Sequence, residues 1–217
     1  MEERAKGLIL RTRPLTETSL IVHWLTADAG RIATVAKGAR RPKSAFRGKL
    51  DLFFMADFTF ARSRRSELHT LREVRLTETH APLRRDLDLL QQAAYAAGFV
   101  ERATERETPV PEVFDLMRGF LGALADHPWR MDSVLWFELK LLAALGMQPD
   151  VDEARVSQRT RSLMREVLVG DWNAAFQTAP DPGQVKEFVH FLHGFLIYHF
   201  DRLPAGRSAA LKQETAV

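Results

Sequence analysis

The spacing of apolar residues changes its period once along the chain, near Pro82, and this change limits the possible folds more than any other feature. Before Pro82, apolar residues form short runs separated by turn residues, as in β-structure. After it, they recur every three or four residues, as on one face of a helix. We therefore predict an α+β protein with two domains, a β-domain over residues 1–80 and an α-helical domain over residues 81–217.

Five short strands are predicted in the first domain, within runs at 8–10, 20–25, 32–36, 50–60 and 68–76. Gly30 ends a compact turn between the second and third strands, where a positive φ angle is needed. Five strands in about 80 residues fit a small closed barrel such as an OB-fold. A split sheet that packs on the helices is the alternative.

Helical spacing predicts helices near 83–100, 113–124, 134–145 and 182–200, with a shorter one at 161–170. Gly146 and Pro149 follow the helix at 134–145 and mark its end. Asp181 begins the last long helix as an N-cap, and Gln184 completes a capping box with it. Residues 211–217 are predicted to be disordered because they form the end of the chain.

Charge is divided unevenly between the two halves of the chain. Residues 1–80 hold 16 Lys and Arg against 9 Asp and Glu, whereas residues 81–217 hold 15 against 19. A basic half beside an acidic half indicates a polyanionic partner for the basic one. The chain has no cysteine, which excludes disulfides and thiolate zinc sites and fits a reducing cytoplasm.

Motifs for bond-making chemistry are missing from the sequence. Gly48-Lys49 lacks both the upstream Gly and the following Ser or Thr of a phosphate-binding loop, and no Gly-x-Ser-x-Gly motif occurs. His190 and His193 share a helix face, but a third ligand at a suitable spacing is missing. Glu138 lies in an apolar helix, where a buried carboxylate paired with an Arg or a backbone group is expected. We predict no catalytic residue, no cofactor and no metal.

A run of cations without any acid is the strongest sign of a binding function. Six cations lie within thirteen residues, and they are Lys37, Arg40, Arg41, Lys43, Arg47 and Lys49. Glycines within this run allow its backbone to follow a phosphodiester chain and its amides to donate to phosphates. Phe46 lies outside the strand pattern and is the best candidate for stacking on a base. A second basic group is Arg62, Arg64 and Arg65 on another loop, and Arg11 with Arg13 make a third.

The order and spacing of several segments resemble the bacterial RecO family over nearly the whole chain. In the first domain the resemblance lies in Gly7–Leu10 to Pro14, Glu17–Val22, Leu25-Thr26, Gly30-Arg31, Val35–Arg40, Lys43-Ser44, Leu50 and Phe53. In the second it lies in Phe137–Leu142, in Leu145-Gly146 and in the segment from Pro204 to Leu211.

Membership of that family implies an OB-fold followed by a helical domain, and a protein that is not an enzyme. It implies binding to single- and double-stranded DNA, annealing of complementary strands and, with RecR, loading of RecA onto DNA coated with single-stranded-DNA-binding protein. Lys37, Arg40, Arg41 and Lys43 would belong to the DNA-binding surface. We expect a cytoplasmic, nucleoid-associated protein without a membrane segment.

The sequence departs from that family at two places. Many relatives carry cysteines after the central helix, and this chain has none, so no zinc site is expected. Many relatives also place basic residues before the Phe-Glu pair, where the acidic tail of single-stranded-DNA-binding protein docks, and here Leu135 and Trp136 occupy those positions. The rival hypotheses are a helical protein-interaction module without a direct DNA function, and an unrecognised hydrolase or nuclease.

Overall fold

A computed structural model describes residues 2–212 of the protein. The chain divides into two compact units. Unit 1 consists of Met1–Ala81 and Val100–Arg118, and unit 2 consists of Pro82–Phe99 and Gly119–Val217. Unit 1 therefore holds the β-structure together with a helical segment that follows it in sequence.

Unit 1 contains a closed five-stranded barrel. Its strands are β1 (Glu2–Pro14), β2 (Leu20–Thr26), β3 (Gly30–Ala36), β4 (Met55–Ala61) and β5 (Leu68–Glu78). They pair in the order β1-β2-β3-β5-β4, and β4 closes back onto β1. All pairs are antiparallel except β3 with β5. The predicted OB-type barrel is confirmed, and the split sheet is not found.

The barrel interior is filled by apolar residues that alternate along the strands. Trp24 and Phe58 stack with ring centroids 4.0 Å apart, and Phe60 continues the aromatic row. The indole N–H of Trp24 donates to the Thr34 hydroxyl at 2.8 Å, so the only polar atom of this large side chain is satisfied inside the core. These residues are buried inside the barrel, and closure of the barrel leaves no strand edge unpaired.

The predicted strand at 50–60 is wrong in its first part, since β4 begins only at Met55. Leu50 and Phe54 pack against the barrel core as partly buried residues, so their apolar character resembles that of a strand. The backbone between them is not extended, because the buried Phe53 has a positive φ of 63°. Phe53 is nevertheless held firmly, since its amide donates to the Ile9 carbonyl at 2.8 Å and its own carbonyl accepts from His80 Nδ1 at 2.7 Å.

The helices follow the predicted order. A 3₁₀ helix at Ala81–Arg85 precedes α1 (Leu87–Ala103), α2 (Pro111–Asp126), α3 (Asp132–Ala144), α4 (Gln158–Val169), α5 (Trp172–Gln177), α6 (Pro182–Phe200) and α7 (Arg207–Ala210). The capping box at the start of α6 is confirmed, with Asp181 and Gln184 bonded reciprocally. The short helices α5 and α7 were not predicted, because six and four residues are too few to show a helical period.

The C-terminal prediction is wrong for Leu211, which is buried at 0% exposure after α7. Residues 213–217 of the predicted disordered segment lie outside the described residues. Among the helices of residues 2–212, none combines the length and the apolar character that crossing a bilayer requires.

Candidate nucleic-acid interface

Residues 37–49 follow β3 and lead towards β4 through consecutive tight turns, and they are called the basic loop below. Each turn is closed by a backbone hydrogen bond, including Arg41 N to Gly38 O and Ser44 N to Arg41 O, both at 3.0 Å. Further along, Lys49 N donates to Phe46 O, also at 3.0 Å. Gly38 and Gly48 have φ angles of 69° and 70°, which glycine adopts without strain. The loop is thus internally bonded although it contains no helix or strand.

Three contacts attach the basic loop to the barrel and to the segment between β1 and β2. The amide of Arg40 donates to the Thr18 carbonyl at 3.0 Å, and its guanidinium donates to the Thr16 carbonyl at 3.2 Å. Phe46 packs against the barrel core and is partly buried. These contacts fix the backbone of the loop on the outside of the barrel. Binding of a ligand to its cations therefore costs little further conformational entropy.

The cations of the basic loop are not neutralised by any carboxylate that the structure describes. Lys37, Arg40, Arg41, Lys43 and Arg47 are exposed, and Lys49 is half-buried. Within residues 2–212, no carboxylate forms a salt bridge with any of these six cations. Their charges are therefore available to an external polyanion.

Two open grooves lie along the basic loop. One has a volume of about 330 Å³ and brings Arg40, Arg41 and Arg47 together with Phe46 and Leu20. The other has a volume of about 440 Å³, and Lys37 and Arg41 contribute to it. A groove that combines cations with an aromatic edge suits a nucleic-acid strand, because phosphates contact the cations and bases pack on apolar surface.

Arg62 is placed differently from the basic loop. Its guanidinium donates to both carboxylate oxygens of Glu3, at 2.7 and 3.0 Å, and to Glu107 at 2.7 Å. The hydrogen bonds from Arg62 lower the pKa of Glu3, so the carboxylate stays charged and paired. The charge of Arg62 is already compensated, which makes this residue a weaker candidate for contacting phosphate than the loop cations.

The remaining predicted cations also lie apart from the loop. Arg11 forms a salt bridge with Glu101 at 3.2 Å. Arg64 and Arg65 are exposed on the turn between β4 and β5 and form no salt bridge with the part of the chain that the structure describes. Neither groove beside the basic loop is lined by Arg11, Arg62, Arg64 or Arg65. The structure therefore brings Arg40, Arg41 and Arg47 together in one groove and Lys37 and Arg41 in the other, and it leaves these four cations outside both grooves.

A buried histidine lies beside Arg11 in the barrel wall. Burial, together with the nearby Arg11 and Arg13, lowers the pKa of His23 to about 4. Arg31 is near the same site, and its Nε donates to the Thr104 hydroxyl at 2.8 Å. At neutral pH His23 is therefore uncharged, and it contributes nothing to the positive surface.

The sequence prediction missed a second set of exposed cations on the barrel. Arg4 and Lys6 lie on β1, and Arg72 and Arg75 lie on β5. The available signal was the alternation of Glu2, Arg4 and Lys6, which is typical of the outer face of a strand. The apolar run predicts a first strand that begins only at Leu8, so it does not place Arg4 and Lys6 on a barrel face.

Three further residues that the sequence singled out are Glu138, His190 and His193. Glu138 is buried and accepts from Arg207 Nε at 2.6 Å, from Arg207 Nη2 at 2.8 Å and from the Tyr95 hydroxyl at 2.5 Å. The prediction of a buried carboxylate paired with an arginine is confirmed. His190 and His193 are exposed on α6, and among the described residues no three His, Asp or Glu side chains are grouped to hold a metal ion.

Comparison with known proteins agrees with this architecture. Residues 1–80 match the family model "Recombination protein O N terminal", and residues 84–154 match "Recombination protein O C terminal". The DNA repair protein RecO of Rhodopirellula baltica is 32% identical over 168 residues, which cover 76% of this chain and 62% of that protein.

Two further relatives bear the same name. The DNA repair protein RecO of Anaeromyxobacter dehalogenans is 33% identical over 67% of this chain and 58% of its own length. That of Bacillus pumilus is 31% identical over 69% of this chain and 58% of its own length. The matches thus span about three fifths of these relatives. With a five-stranded barrel followed by helices and both family models matched in order, the chain belongs to the RecO family of DNA repair and recombination proteins.

Proposed function

We propose that this protein binds DNA through the basic loop and acts as a recombination mediator. In this role it anneals complementary single strands and, with RecR, helps to load RecA onto DNA coated with single-stranded-DNA-binding protein. The observation that carries the proposal is an internally bonded loop beside two open grooves, whose six cations form no ion pair with residues 2–212. Membership of a DNA repair family gives the biological context.

The physical basis of the activity is displacement of counterions rather than bond-making chemistry. Lysines and arginines that contact phosphates release condensed cations from the strand, which favours binding to any sequence. Two strands that are both neutralised in this way repel each other less and can pair. No side chain needs to act as a nucleophile or a general base for this function, and binding to DNA would associate the protein with the nucleoid.

We assign DNA binding to residues 1–80 and partner docking to residues 81–217. In unit 2, Leu135 and Trp136 are both buried at 0% exposure, so neither can present a docking surface for an acidic tail. Arg130 and Lys140 are also engaged, since Arg130 donates to Asp132 and Lys140 donates to the Gly170 carbonyl. Docking of the acidic tail would therefore use other residues of the helical domain than those before the Phe-Glu pair.

Replacing three loop cations tests the DNA-binding site. For Arg40→Ala/Arg41→Ala/Lys43→Ala we expect affinity for single-stranded DNA to fall about 100-fold at roughly 0.1 M salt. Each phosphate contact contributes about 0.7 to the slope of log affinity against log salt concentration, so three lost contacts remove about 2 from that slope. The loss should be similar for oligothymidylate and for mixed sequences, since phosphate contacts carry no sequence information. Fluorescence anisotropy with labelled oligonucleotides measures both.

A matched control removes the same charge elsewhere. Arg155→Ala/Arg159→Ala/Lys186→Ala changes three exposed cations of unit 2 and should leave the affinity within about twofold of the parent protein. Equal loss in both variants would show that net charge matters and the loop does not. A parent protein that fails to bind DNA would favour the helical interaction module instead. Annealing of DNA coated with single-stranded-DNA-binding protein, with and without RecR, tests the mediator role.

A further inference from the structure

A third groove of unit 1 lies on the outer face formed by β1, β4 and β5. Its volume is about 790 Å³, larger than either groove described above. Five cations line it, namely Arg4 and Lys6 of β1, Arg72 and Arg75 of β5, and Lys49 of the basic loop. Only Lys49 of these five cations belongs to the basic loop, and the other four lie outside the basic run of the sequence.

The strand register explains how these cations come together. Across the three strands, Arg4 lies opposite Thr59 and Thr59 opposite Glu73, while Lys6 lies opposite Asp57 and Asp57 opposite Arg75. The central strand β4 therefore forms the floor, with side chains of β1 and β5 on either side. Because neighbouring strands are about 4.8 Å apart, the two edges are separated by about 10 Å.

The charge balance of the groove favours an anion. Three carboxylates also line it, those of Asp28, Asp57 and Glu73. Asp57 forms a salt bridge with Arg75, so this pair cancels. Arg4, Lys6 and Arg72 are exposed and form no salt bridge with any residue between positions 2 and 212. An excess of positive charge therefore remains after the internal pairing.

A polar group on the floor of the groove also lacks a partner. The hydroxyl of Thr59 is buried and has no hydrogen-bond partner among the described residues. A buried hydroxyl without a partner is unfavourable, and a ligand oxygen that reached it would accept its hydrogen. A cationic rim around an unsatisfied donor is the arrangement expected for a phosphate-bearing ligand.

Phe46 connects this groove to the basic loop, because it lines both this groove and the one that contains Arg40, Arg41 and Arg47. We propose that the β1–β4–β5 face binds a second nucleic-acid strand, so that two strands lie on opposite sides of Phe46 and the basic loop. The inference rests on the proposed function, since the first strand is the one held by the loop. It explains how a single barrel can bring two strands close enough to pair.

Short oligonucleotides can count the strands directly. Oligothymidylate of about eight nucleotides is the probe, because it fits one OB-fold site and cannot pair with itself. We expect the parent protein to bind two such molecules per chain at saturation, measured by calorimetric titration. Arg4→Ala/Lys6→Ala/Arg72→Ala should bind one molecule with the affinity of the loop site. The loop variant Arg40→Ala/Arg41→Ala/Lys43→Ala should also bind one, at the β1–β4–β5 face and about 100-fold more weakly. All six replacements together should abolish binding.

A second measurement separates two strands on one barrel from one strand that wraps across both grooves. Arg4→Ala/Lys6→Ala/Arg72→Ala should keep the affinity for a long single strand within about twofold, while the annealing rate of complementary strands falls about tenfold or more. A large loss of long-strand affinity would overturn the two-strand arrangement. The three side chains are exposed, so the urea unfolding midpoint should stay unchanged.

Other outcomes distinguish this inference from the proposed function. If the parent protein binds one oligonucleotide and only the loop variant loses it, the second strand site is excluded while the loop remains the DNA site. If the groove is filled by poly-glutamate but not by oligothymidylate, an acidic protein segment is the ligand and the inference is wrong. If the parent protein binds no oligonucleotide, both proposals fail together. The unit 2 control Arg155→Ala/Arg159→Ala/Lys186→Ala should still bind two oligonucleotides per chain.

Discussion

His23 is a buried residue whose protonation opposes the folded state. Burial and the neighbouring Arg11 and Arg13 lower its pKa from 6.5 to about 4. Between these two values the unfolded chain binds a proton that the folded chain does not, so the free energy of unfolding decreases as the pH falls. From about pH 7.5 to about pH 5 we expect His23 to account for a decrease of about 2 kcal/mol.

Urea unfolding of His23→Phe at both pH values measures this contribution. The variant cannot take up this proton. Between about pH 7.5 and about pH 5 its free energy of unfolding should therefore fall by about 2 kcal/mol less than that of the parent protein. His193→Gln is the control, since His193 is exposed and its replacement should leave the pH dependence unchanged. Equal pH dependence of His23→Phe and the parent protein would show that His23 titrates normally.

Glu138 and Arg207 form a buried ion pair in unit 2, at 0% and 3% side-chain exposure. For Arg207→Met we expect the free energy of unfolding to fall by about 3 to 5 kcal/mol, because an uncompensated carboxylate remains buried. Glu138→Leu/Arg207→Met should lose much less, since both charges are removed together. Urea unfolding measures each variant, with the exposed Arg202→Ala as control. If the single and double variants lose the same stability, the pair does not act as a unit.

The turn between β2 and β3 depends on Gly30 for two reasons. Its φ angle is +64°, and a Cβ at this position would lie 2.0 Å from the Thr108 carbonyl oxygen. The positive φ accounts for the glycine that the sequence predicted at the end of this turn. The close approach of residue 108, which is far away in sequence, had no signal in the local pattern.

Gly30→Ala therefore combines backbone strain with a steric clash, and we expect the free energy of unfolding to fall by about 3 kcal/mol. Gly48→Ala is the matched control, because Gly48 has a φ of +70° and open space around its Cβ position. This variant should lose about 1 kcal/mol, from strain alone. Urea unfolding compares the two, and equal losses would mean that the segment around Thr108 moves away freely.

Across the whole molecule, positive charge is concentrated in the first 80 residues, which carry 16 Lys and Arg against 9 Asp and Glu. If about five phosphates contact the protein, the logarithm of the affinity for single strands should fall with the logarithm of salt concentration at a slope near −3.5. In Arg40→Ala/Arg41→Ala/Lys43→Ala the slope should be shallower by about 2. Anisotropy titrations over a salt series measure both slopes. A salt-independent affinity would contradict binding through phosphates.

The sequence by itself determined the division into strands and helices, the strand-rich barrel and the basic loop. These features are local, since hydrophobic period, turn residues and runs of like charge are all read from neighbouring positions. Even the error at residues 50–54 was local in origin, because Leu50 and Phe54 are apolar for a reason other than strand formation: they cover the barrel core from a loop.

Only the tertiary structure decided which charges remain available. Arg62 belongs to a basic group in the sequence, yet it is neutralised by Glu3 and Glu107, which are 59 and 45 positions away. Conversely, Arg4 and Arg72 are far apart in the sequence and line the same groove because β4 pairs with both β1 and β5. Closing a barrel joins strands from the beginning and end of the domain, and the energy of that closure comes from the buried core rather than from the exposed charges. The positions of the charges therefore follow from the fold and cannot be read from their order along the chain.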